Sequence, residues 1–315
     1  MKRNLTPKYF LLLLLLSALV LTAVGCSTAE SAGTIITKTH EITESFTAIS
    51  VECSECSISV LPSTGSGISV VCKEREKYPH KVTVKNGCLT IEEPNRTELI
   101  NIFSLVGDHT EVLIYVPFEV AAGCSISLES ASGDITLDKD FVFTRGDLET
   151  ASGTVICNAS FHGDLSIDDA SGDVFLRGST YGDIEIDAAS GHIALEGLRE
   201  AEEISLECAS GNILLNTVQC KSLDAETASG KLTLEDVVAE KELAGETVSG
   251  AIILSRCDAE KYDLESASGD IQGSVLRPMH FITDSASGRI NVPNTDGDPC
   301  RLTTASGNIT ITIEE

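Results

Sequence analysis

The tripeptide Ala-Ser-Gly, with Val in place of Ala once, occurs ten times between residues 131 and 307. Neighbouring copies lie 19 or 20 residues apart. Their serines are Ser132, Ser152, Ser171, Ser190, Ser210, Ser229, Ser249, Ser268, Ser287 and Ser306. A fixed period of this length is typical of stacked structural units that each pack on their neighbours. The repeat therefore predicts a solenoid.

Apolar residues alternate on both sides of the tripeptide, whose first residue is numbered position 0. Position +4 is aliphatic in every copy and position +6 in most, so the two positions share one face of a predicted strand. Positions −5 and −3 are mostly apolar and predict a second strand. The inward-facing positions are odd-numbered in the strand before the tripeptide and even-numbered in the strand after it. The chain must therefore turn between them, and we expect Ser-Gly to form this turn with glycine in positive φ.

A weaker apolar position at +9 extends this pattern. Its members are Leu198, Val218, Val237, Cys257 and Leu276. The fold class predicted is therefore all-β: a single-stranded β-helix, or β-solenoid, of about ten coils, each with two or three short strands. The sequence has 4% aromatic residues and no Trp, which suits thin aliphatic layers.

The chain before the regular repeat is β-rich but irregular. Residues 49–60 fit the repeat pattern and predict a degenerate coil, residues 82–91 predict a hairpin turning at Asn86-Gly87, and residues 112–116 predict a strand. We expect residues 34–120 to form an N-terminal cap and the first coils, and residues 121–315 to form the repetitive solenoid. An atypical end is expected because a solenoid must cover its open strand edges.

The N-terminus has the pattern of an export signal. Basic residues precede the leucine run of residues 11–16, and Ala23-Val24-Gly25 leads to Cys26. This end resembles the lipobox of bacterial lipoproteins, which implies a signal peptide over residues 1–25, cleavage before Cys26 and lipid attachment to its sulfur. Residues 26–33 would then be a flexible tether. The alternative is an uncleaved membrane helix; both place the protein outside the cytoplasm, at the cell membrane or cell surface.

The charge excludes one class of partner. Without residues 1–25 the chain has 19 basic and 48 acidic residues, a net charge near −29. Such a chain repels phosphate backbones, so nucleic acid is not an expected partner.

The lipoprotein start, the Tyr-Val-Pro strand end at residues 115–117 and the repeated Ala-Ser-Gly-Asp-Ile resemble a bacterial β-strand-repeat family, DUF4097. The resemblance covers roughly residues 45–313. Its members are regarded as adhesins because of their architecture, and the resemblance supplies no catalytic residue.

An acidic column accompanies the repeat at position −2. Its members are Glu129, Glu149, Asp168, Asp187, Glu207, Glu226, Glu246, Glu265 and Asp284, and Thr303 interrupts it. Stacked coils would place these carboxylates about 4.8 Å apart. One interpretation is a solvated face, and the other is a stripe that binds divalent cations such as Ca²⁺. No other cofactor is expected.

Two further sets of residues leave alternatives open. Position +5 should point outward yet contains Ile156, Phe175, Leu214 and Ile253, which are either scattered exposed residues or a strip for a partner. Cys157, Cys257 and Cys300 fall on inward positions. Cys53 and Cys56 form a C-x-x-C within a strand pattern, but with Cys72 and Cys88 they lack the second close pair of a zinc ribbon.

We expect a surface protein without catalytic activity, because the acids recur with the structural period and no serine lies in a G-x-S-x-G motif. One hypothesis is an adhesin or binding scaffold for cell wall, glycan or a protein, held at the membrane by its lipid. The alternative is a structural or sensory component of the cell envelope. A carbohydrate-active β-helix enzyme is a more distant alternative.

Overall fold

The computed structural model describes residues 34–94 and 110–314. The expected signal peptide, Cys26 and the tether lie outside these residues. Among the described residues the only α-helix is the single turn Phe118–Ala121, and no helix is long and apolar enough to cross a membrane.

The rest of the described chain is built from strands and the bends that join them. The strands are β1 (Ile35–Ile42), β2 (Ala48–Cys53), β3 (Cys56–Pro62), β4 (Ile68–Arg75), β5 (Lys81–Lys85), β6 (Cys88–Glu92), β7 (Thr110–Val116), β8 (Ser125–Ser130), β9 (Ile135–Leu137), β10 (Val142–Phe143), β11 (Arg145–Thr150), β12 (Val155–Cys157), β13 (Ser160–Phe161), β14 (Leu165–Asp169), β15 (Val174–Leu176), β16 (Ile184–Ser190), β17 (Ile193–Glu196), β18 (Ala201–Ser210), β19 (Ile213–Thr227), β20 (Leu232–Thr247), β21 (Ile252–Ser266), β22 (Ile271–Val275), β23 (Met279–Ser285), β24 (Ile290–Asn291), β25 (Asp298–Thr304) and β26 (Ile309–Ile313).

Each coil has three sides, and each side pairs in parallel with its equivalents one coil away. Side one precedes the tripeptide, side two follows it, and side three leads back to side one. Leu206 on side one, for example, lies opposite Ile186 and Ala225. On side two, Ile213 lies opposite Ile193 and Leu232. The predicted β-solenoid is confirmed.

The predicted inward columns form the core. Position +4 is buried in nine copies; Ile290 is the exception. Of the predicted +9 residues, Leu198, Val218, Val237 and Cys257 are buried. Leu276 is only half-buried, because Val275 takes the place opposite Cys257.

Side three of the earlier coils is filled by aromatic residues that the repeat pattern did not predict. Phe141, Phe143 and Phe161 are fully buried, and consecutive ring centres lie 5.7 and 6.0 Å apart. Aromatic rings at such distances pack well in this tilted, stacked arrangement.

The tripeptide turn needs glycine for a different reason from the one expected. Of the ten tripeptide glycines only Gly191 has positive φ. In most coils a Cβ at this position would instead meet the carbonyl oxygen of the equivalent glycine in the adjacent coil, at 1.7 Å for Gly230 over Gly211. Close stacking of backbones, rather than a left-handed conformation, therefore excludes side chains here.

Position −1, just before the tripeptide turn, is a column of Ser and Thr residues in most coils, called the buried hydroxyl column below. In most coils its Ser or Thr donates a hydrogen bond to the glycine carbonyl of an adjacent coil, as Thr227 does to Gly211 at 3.0 Å. The other donors are Thr150, Thr247, Ser266, Ser285 and Thr304. These bonds satisfy carbonyls that would otherwise be buried without a partner.

In the later coils the residue at the corner between sides two and three has the left-handed backbone conformation. Thr217, Asp236 and Arg256 occupy position +8 with φ of 57°, 52° and 55°, and Gly197 does so with 71°. This conformation lets a strand bend without interrupting its pairing, so β19, β20 and β21 each run through two corners.

At the N-terminal end the coils are not stacked in chain order. The degenerate coil of β2 and β3 lies between β6 and β7 on one side and β8 and β9 on the other. The outer coil is covered by antiparallel strands: β5 pairs with β6 through the predicted Asn86-Gly87 hairpin, and β4 pairs with β7. Strand β1 then pairs with β4.

The C-terminal end has a matching exchange of order. Strand β25 lies between β21 and β23, and β26 lies between β22 and β24. The coil of β23 and β24 is therefore outermost, which explains why Ile290 is 44% exposed although it occupies the inward position +4.

Candidate functional site

The acidic column lies on the outer surface of side one. Glu129, Glu149, Asp168, Asp187, Glu207, Glu226, Glu246 and Glu265 follow one another in register, and all are exposed or half-buried. Asp284 is separated from Glu265 by Thr303, because the coil of β25 is inserted between them.

The structure extends this column at its other end. Glu52 pairs with Glu129, and Glu92 pairs with Glu52. The ten consecutive carboxylates from Glu92 to Glu265 are called the acidic ladder below. Sequence reasoning missed its first two members, although the degenerate coil placed Glu52 at position −2.

A second set of acids lies beside the ladder on the same face. Asp147, Glu185, Asp224 and Asp263 occupy position −4 in every second coil, alternating with Ser or Ala. Counting by two periods rather than one would have found them in the sequence.

This density of charge changes the acidity of the carboxyls. Partial burial, together with Glu207, Asp168 and Glu185, raises the pKa of Asp187 to about 7. Partial burial and neighbouring carboxylates also raise the pKa of Glu226 to about 7. The pKa values of Glu149, Asp168 and Glu207 are raised by the same causes. The central ladder therefore resists full ionisation near neutral pH.

Few basic groups reach this face. Within the described chain, the acids at positions −2 and −4 form salt bridges at the two ends of this face, Lys81–Glu92 at 3.0 Å and Arg301–Asp263 at 4.0 Å. At position −6 of the same face Lys261 pairs with Glu242. Elsewhere basic residues pair between coils away from the ladder, as Arg177 does with Glu196 at 2.9 Å. The ladder is thus suited to protons and cations. Among the described residues, however, it does not bring three ligand atoms within 4.8 Å of one another.

The acids at position +3 have a structural role. The side chain of Asp134 accepts a hydrogen bond from the backbone N–H of Thr154 at 2.8 Å, and Asp173 does the same for His192. Asn212 continues the pattern by accepting from Lys231 at 2.9 Å. These side chains hold adjacent coils together at the start of side two.

An apolar strip crosses the outer surface of side two. Ile156, Phe175, Ala194 and Leu214 are consecutive in the stack, and together they are called the apolar strip. The first three are half-buried, and Leu214 is 39% exposed. The Arg177 guanidinium lies 6.0 Å from the Phe175 ring centre. Three of the four apolar residues that the sequence left as either scattered or continuous are therefore contiguous, with Ala194, over four coils. Ile253 is separated from them by Thr233.

The cysteines that the sequence analysis singled out differ in their surroundings. Cys157, Cys257 and Cys300 are buried in the core as predicted. Cys53 and Cys56 form a disulfide beside His80, whereas the nearby Cys72 is a buried thiol. Burial and Glu74 raise the pKa of Cys72 to about 12. Cys88 is a half-buried thiol that does not join this cluster.

A comparison with protein families gives a match over most of the chain. The sequence model of a family described as Toastrack DUF4097 matches residues 46–312. No curated protein matches the chain.

Several solved structures are similar to the chain. A candidate adhesin from Parabacteroides distasonis is 12% identical, with 88% of this chain and 97% of that chain covered and a TM-score of 0.49. A candidate adhesin from Parabacteroides merdae is 11% identical, with 89% and 97% covered and a TM-score of 0.47. A third, from Bacteroides fragilis, is 14% identical, with 89% and 97% covered and a TM-score of 0.43. Since every TM-score is below 0.5, these likenesses carry no inference about what the chain binds.

Proposed function

This chain belongs to the Toastrack DUF4097 family, and from the faces described above we propose that it is a non-catalytic binding scaffold of the bacterial cell surface. The observation that carries the proposal is the contiguity of the apolar strip. Isolated exposed apolar residues are ordinary on any protein surface. A continuous strip on a flat sheet face is instead typical of a surface that contacts a partner.

The shape of the strip favours an extended ligand. Its residues repeat at the spacing of adjacent strands, about 4.8 Å. A cell-wall polymer, a glycan or an extended protein segment would contact several coils at once and gain affinity from each contact. Arg177 beside Phe175 adds a hydrogen-bond donor at the edge of the strip.

The binding surface is tested by substitutions to a residue type that still favours a β-strand. Phe175→Thr combined with Leu214→Thr introduces threonine into the strip. Threonine already occupies the equivalent position of other coils at Thr136 and Thr233. We expect binding of the purified protein to intact envelopes to fall at least fivefold. Ile282→Thr, which removes an exposed apolar residue from side one, is the matched control. Undiminished binding by the double variant, or equal loss in the control, would show that the strip is not the contact surface.

Membrane attachment is proposed to occur through lipid on Cys26. The small and polar residues 26–33 would then connect the membrane to the first strand. We expect Cys26→Ala to release the protein into the medium or leave it unprocessed, as fractionation and the size of the product would show. Unchanged attachment and mature size would contradict lipidation.

A second candidate function is a sensory or structural role in the envelope. The acidic ladder favours it, because the pKa values near 7 at Asp187 and Glu226 make its charge respond to the surrounding pH. Envelope binding that is insensitive to the strip substitutions but changes between pH 6 and pH 8 would favour this function over adhesion.

A further inference from the structure

Four strands bring a compact set of metal-binding side chains together near the N-terminal end. Cys53 ends β2, Cys56 begins β3, Glu74 lies in β4 and His80 immediately precedes β5. The two cysteines occupy the corner where other coils have the buried hydroxyl and the tripeptide glycine. The Ser130 hydroxyl still donates to the Cys56 carbonyl at 2.8 Å, so the stacking of this corner is retained.

His80 is held in one orientation by Glu74. Oε2 of Glu74 accepts the backbone N–H of His80 at 2.6 Å and lies 2.9 Å from Nδ1 of its ring. A proton on Nδ1 satisfies this contact, which leaves the lone pair on Nε2. Nε2 lies 3.9 Å from Sγ of Cys53. A histidine ligand that donates its other ring N–H to a carboxylate is the usual arrangement at a metal site, with the carboxylate in the second layer.

The cluster also contains a buried group without a partner. Glu74 is fully buried, and its Oε1 has no hydrogen-bond partner. A buried carboxylate is costly unless a positive charge or further hydrogen bonds compensate it. A divalent cation next to His80 would supply positive charge at this place.

The distances suit a tetrahedral ion once the cysteines are thiols. Sγ of Cys53, Sγ of Cys56 and a ring nitrogen of His80 all lie within 4.8 Å of one another. Zinc bonds of about 2.3 Å to sulfur and 2.0 Å to nitrogen separate a sulfur from a nitrogen ligand by roughly 3.6 Å. Two sulfur ligands would be roughly 3.8 Å apart, a separation that side-chain rotation provides after the disulfide opens.

We propose that Cys53, Cys56 and His80 bind one thiophilic divalent cation, of the Zn²⁺ class, when the two cysteines are reduced. Glu74 is the positioning residue that holds the imidazole. The cysteines leave synthesis as thiols, and the ion replaces their two protons on binding. An oxidant of the disulfide class takes two electrons from the two thiolates. Its own S–S bond breaks, its two sulfurs take up two protons from water to become thiols, and the ion is released as the Cys53–Cys56 bond forms. The metal and the disulfide are therefore mutually exclusive states of one site.

The test compares the two redox states of the same purified protein. After phosphine reduction and removal of metal, we expect one equivalent of Zn²⁺ to bind per chain. Co²⁺ in its place should show thiolate-to-metal charge-transfer absorption. The oxidised protein should bind at least a hundredfold more weakly. Absence of stoichiometric binding and of the cobalt absorption in the reduced protein would overturn the proposal, and this comparison needs no variant to fold.

Substitutions then assign the ligands. We expect Cys56→Ser and His80→Gln each to weaken binding at least tenfold. Glu74→Gln should weaken binding by about 10- to 100-fold while leaving the cobalt–thiolate absorption in place, as a positioning role requires. Cys300→Ser is the matched control, because Cys300 is equally buried but lies outside the cluster. Equal loss in the Cys300 variant would overturn the assignment.

Discussion

At the residue scale, the tripeptide glycine is the most constrained position of each coil. A Cβ on Gly230 would lie 1.7 Å from the backbone oxygen of Gly211, an atom that cannot move without separating two coils. We expect Gly230→Ala to reduce the free energy of unfolding by roughly 3 kcal/mol, as overpacking does. Gly67→Ala is the control, since nothing lies within 4 Å of its added Cβ. Thermal melts in which both variants behave alike would contradict this account.

Asp169 is an exception in the buried hydroxyl column. It is 3% exposed, its Oδ2 has no hydrogen-bond partner, and burial raises its pKa to about 6. Because the folded state binds this proton more tightly than the unfolded state, stability decreases as pH rises from about 4 to about 6 and stays lower above that.

Replacing this aspartate by the usual residue of its column should remove the pH-dependent penalty. We expect Asp169→Thr to raise the melting temperature by several degrees at pH 8 and by much less at pH 4. A pKa raised by about two units corresponds to at most about 3 kcal/mol. Equal shifts at the two pH values would show that the buried carboxyl is not the cause.

At the scale of single strands, the period-two pattern was enough to predict sides one and two. The residues at −5, −3, +4 and +6 face inward, and the same register extends to Val51 and Ile58 of the degenerate coil. Side three was harder to predict, because coils of 19 and 20 residues differ in length at its two ends, as the register shifts at Cys220/Ser222 and Leu254/Cys257 show. The inward parity therefore drifts, and Phe141 and Phe161 do not fall on the +9 position.

The same reasoning explains what could be predicted of the candidate sites. The acidic ladder follows the repeat, so most of its members were visible from spacing alone. Glu92 ends β6, and the next strand of the same coil, β7, begins only at Thr110, so the spacing that marks position −2 elsewhere is missing here. The cluster of Cys53, Cys56 and His80 depends on contacts between non-adjacent strands, and no local spacing encodes them.

Inward and outward positions of one strand pair should differ sharply in their tolerance of substitution. Ile213 is fully buried, so Ile213→Asp would place an unpaired carboxyl in the core and cost several kcal/mol. Glu207 is exposed and lies in register between Asp187 and Glu226, so Glu207→Ala should be neutral or should relieve repulsion. Thermal melts giving the reverse order would contradict the assigned faces.

At the scale of the whole molecule, the acidic ladder dominates the response to ions. The raised pKa values of Asp187 and Glu226 mean that ionisation above about pH 7 opposes folding. Added salt should therefore stabilise the protein by screening. We expect Na⁺ at matched ionic strength to raise the melting temperature as much as millimolar Ca²⁺, because the described ladder does not enclose an ion.

Specific calcium binding would give a different result. Ca²⁺ would then raise the melting temperature well beyond the sodium control, and by more as its concentration increased. Replacing Asp187, Glu207 and Glu226 together by Gln would abolish the excess. Replacing Glu200, Glu240 and Glu260 by Gln removes the same charge away from the ladder and would not. That outcome would contradict the expectation of a solvated face.

The exchanged order of coils at both ends determines how the chain can be assembled and pulled apart. The coil of β2 and β3 is enclosed by two coils that follow it in the chain, and the coil of β25 and β26 is inserted between two that precede it. Folding therefore cannot proceed in the order of synthesis, since the first coil to emerge must wait for both neighbours. Tension applied to the C-terminal end of the described chain meets a coil held on two faces. At the N-terminal end it reaches such a coil once β1 has separated from β4. The enclosed coil therefore cannot be peeled away one strand at a time. The strand pairings on both of its faces must shear together before the chain begins to unravel.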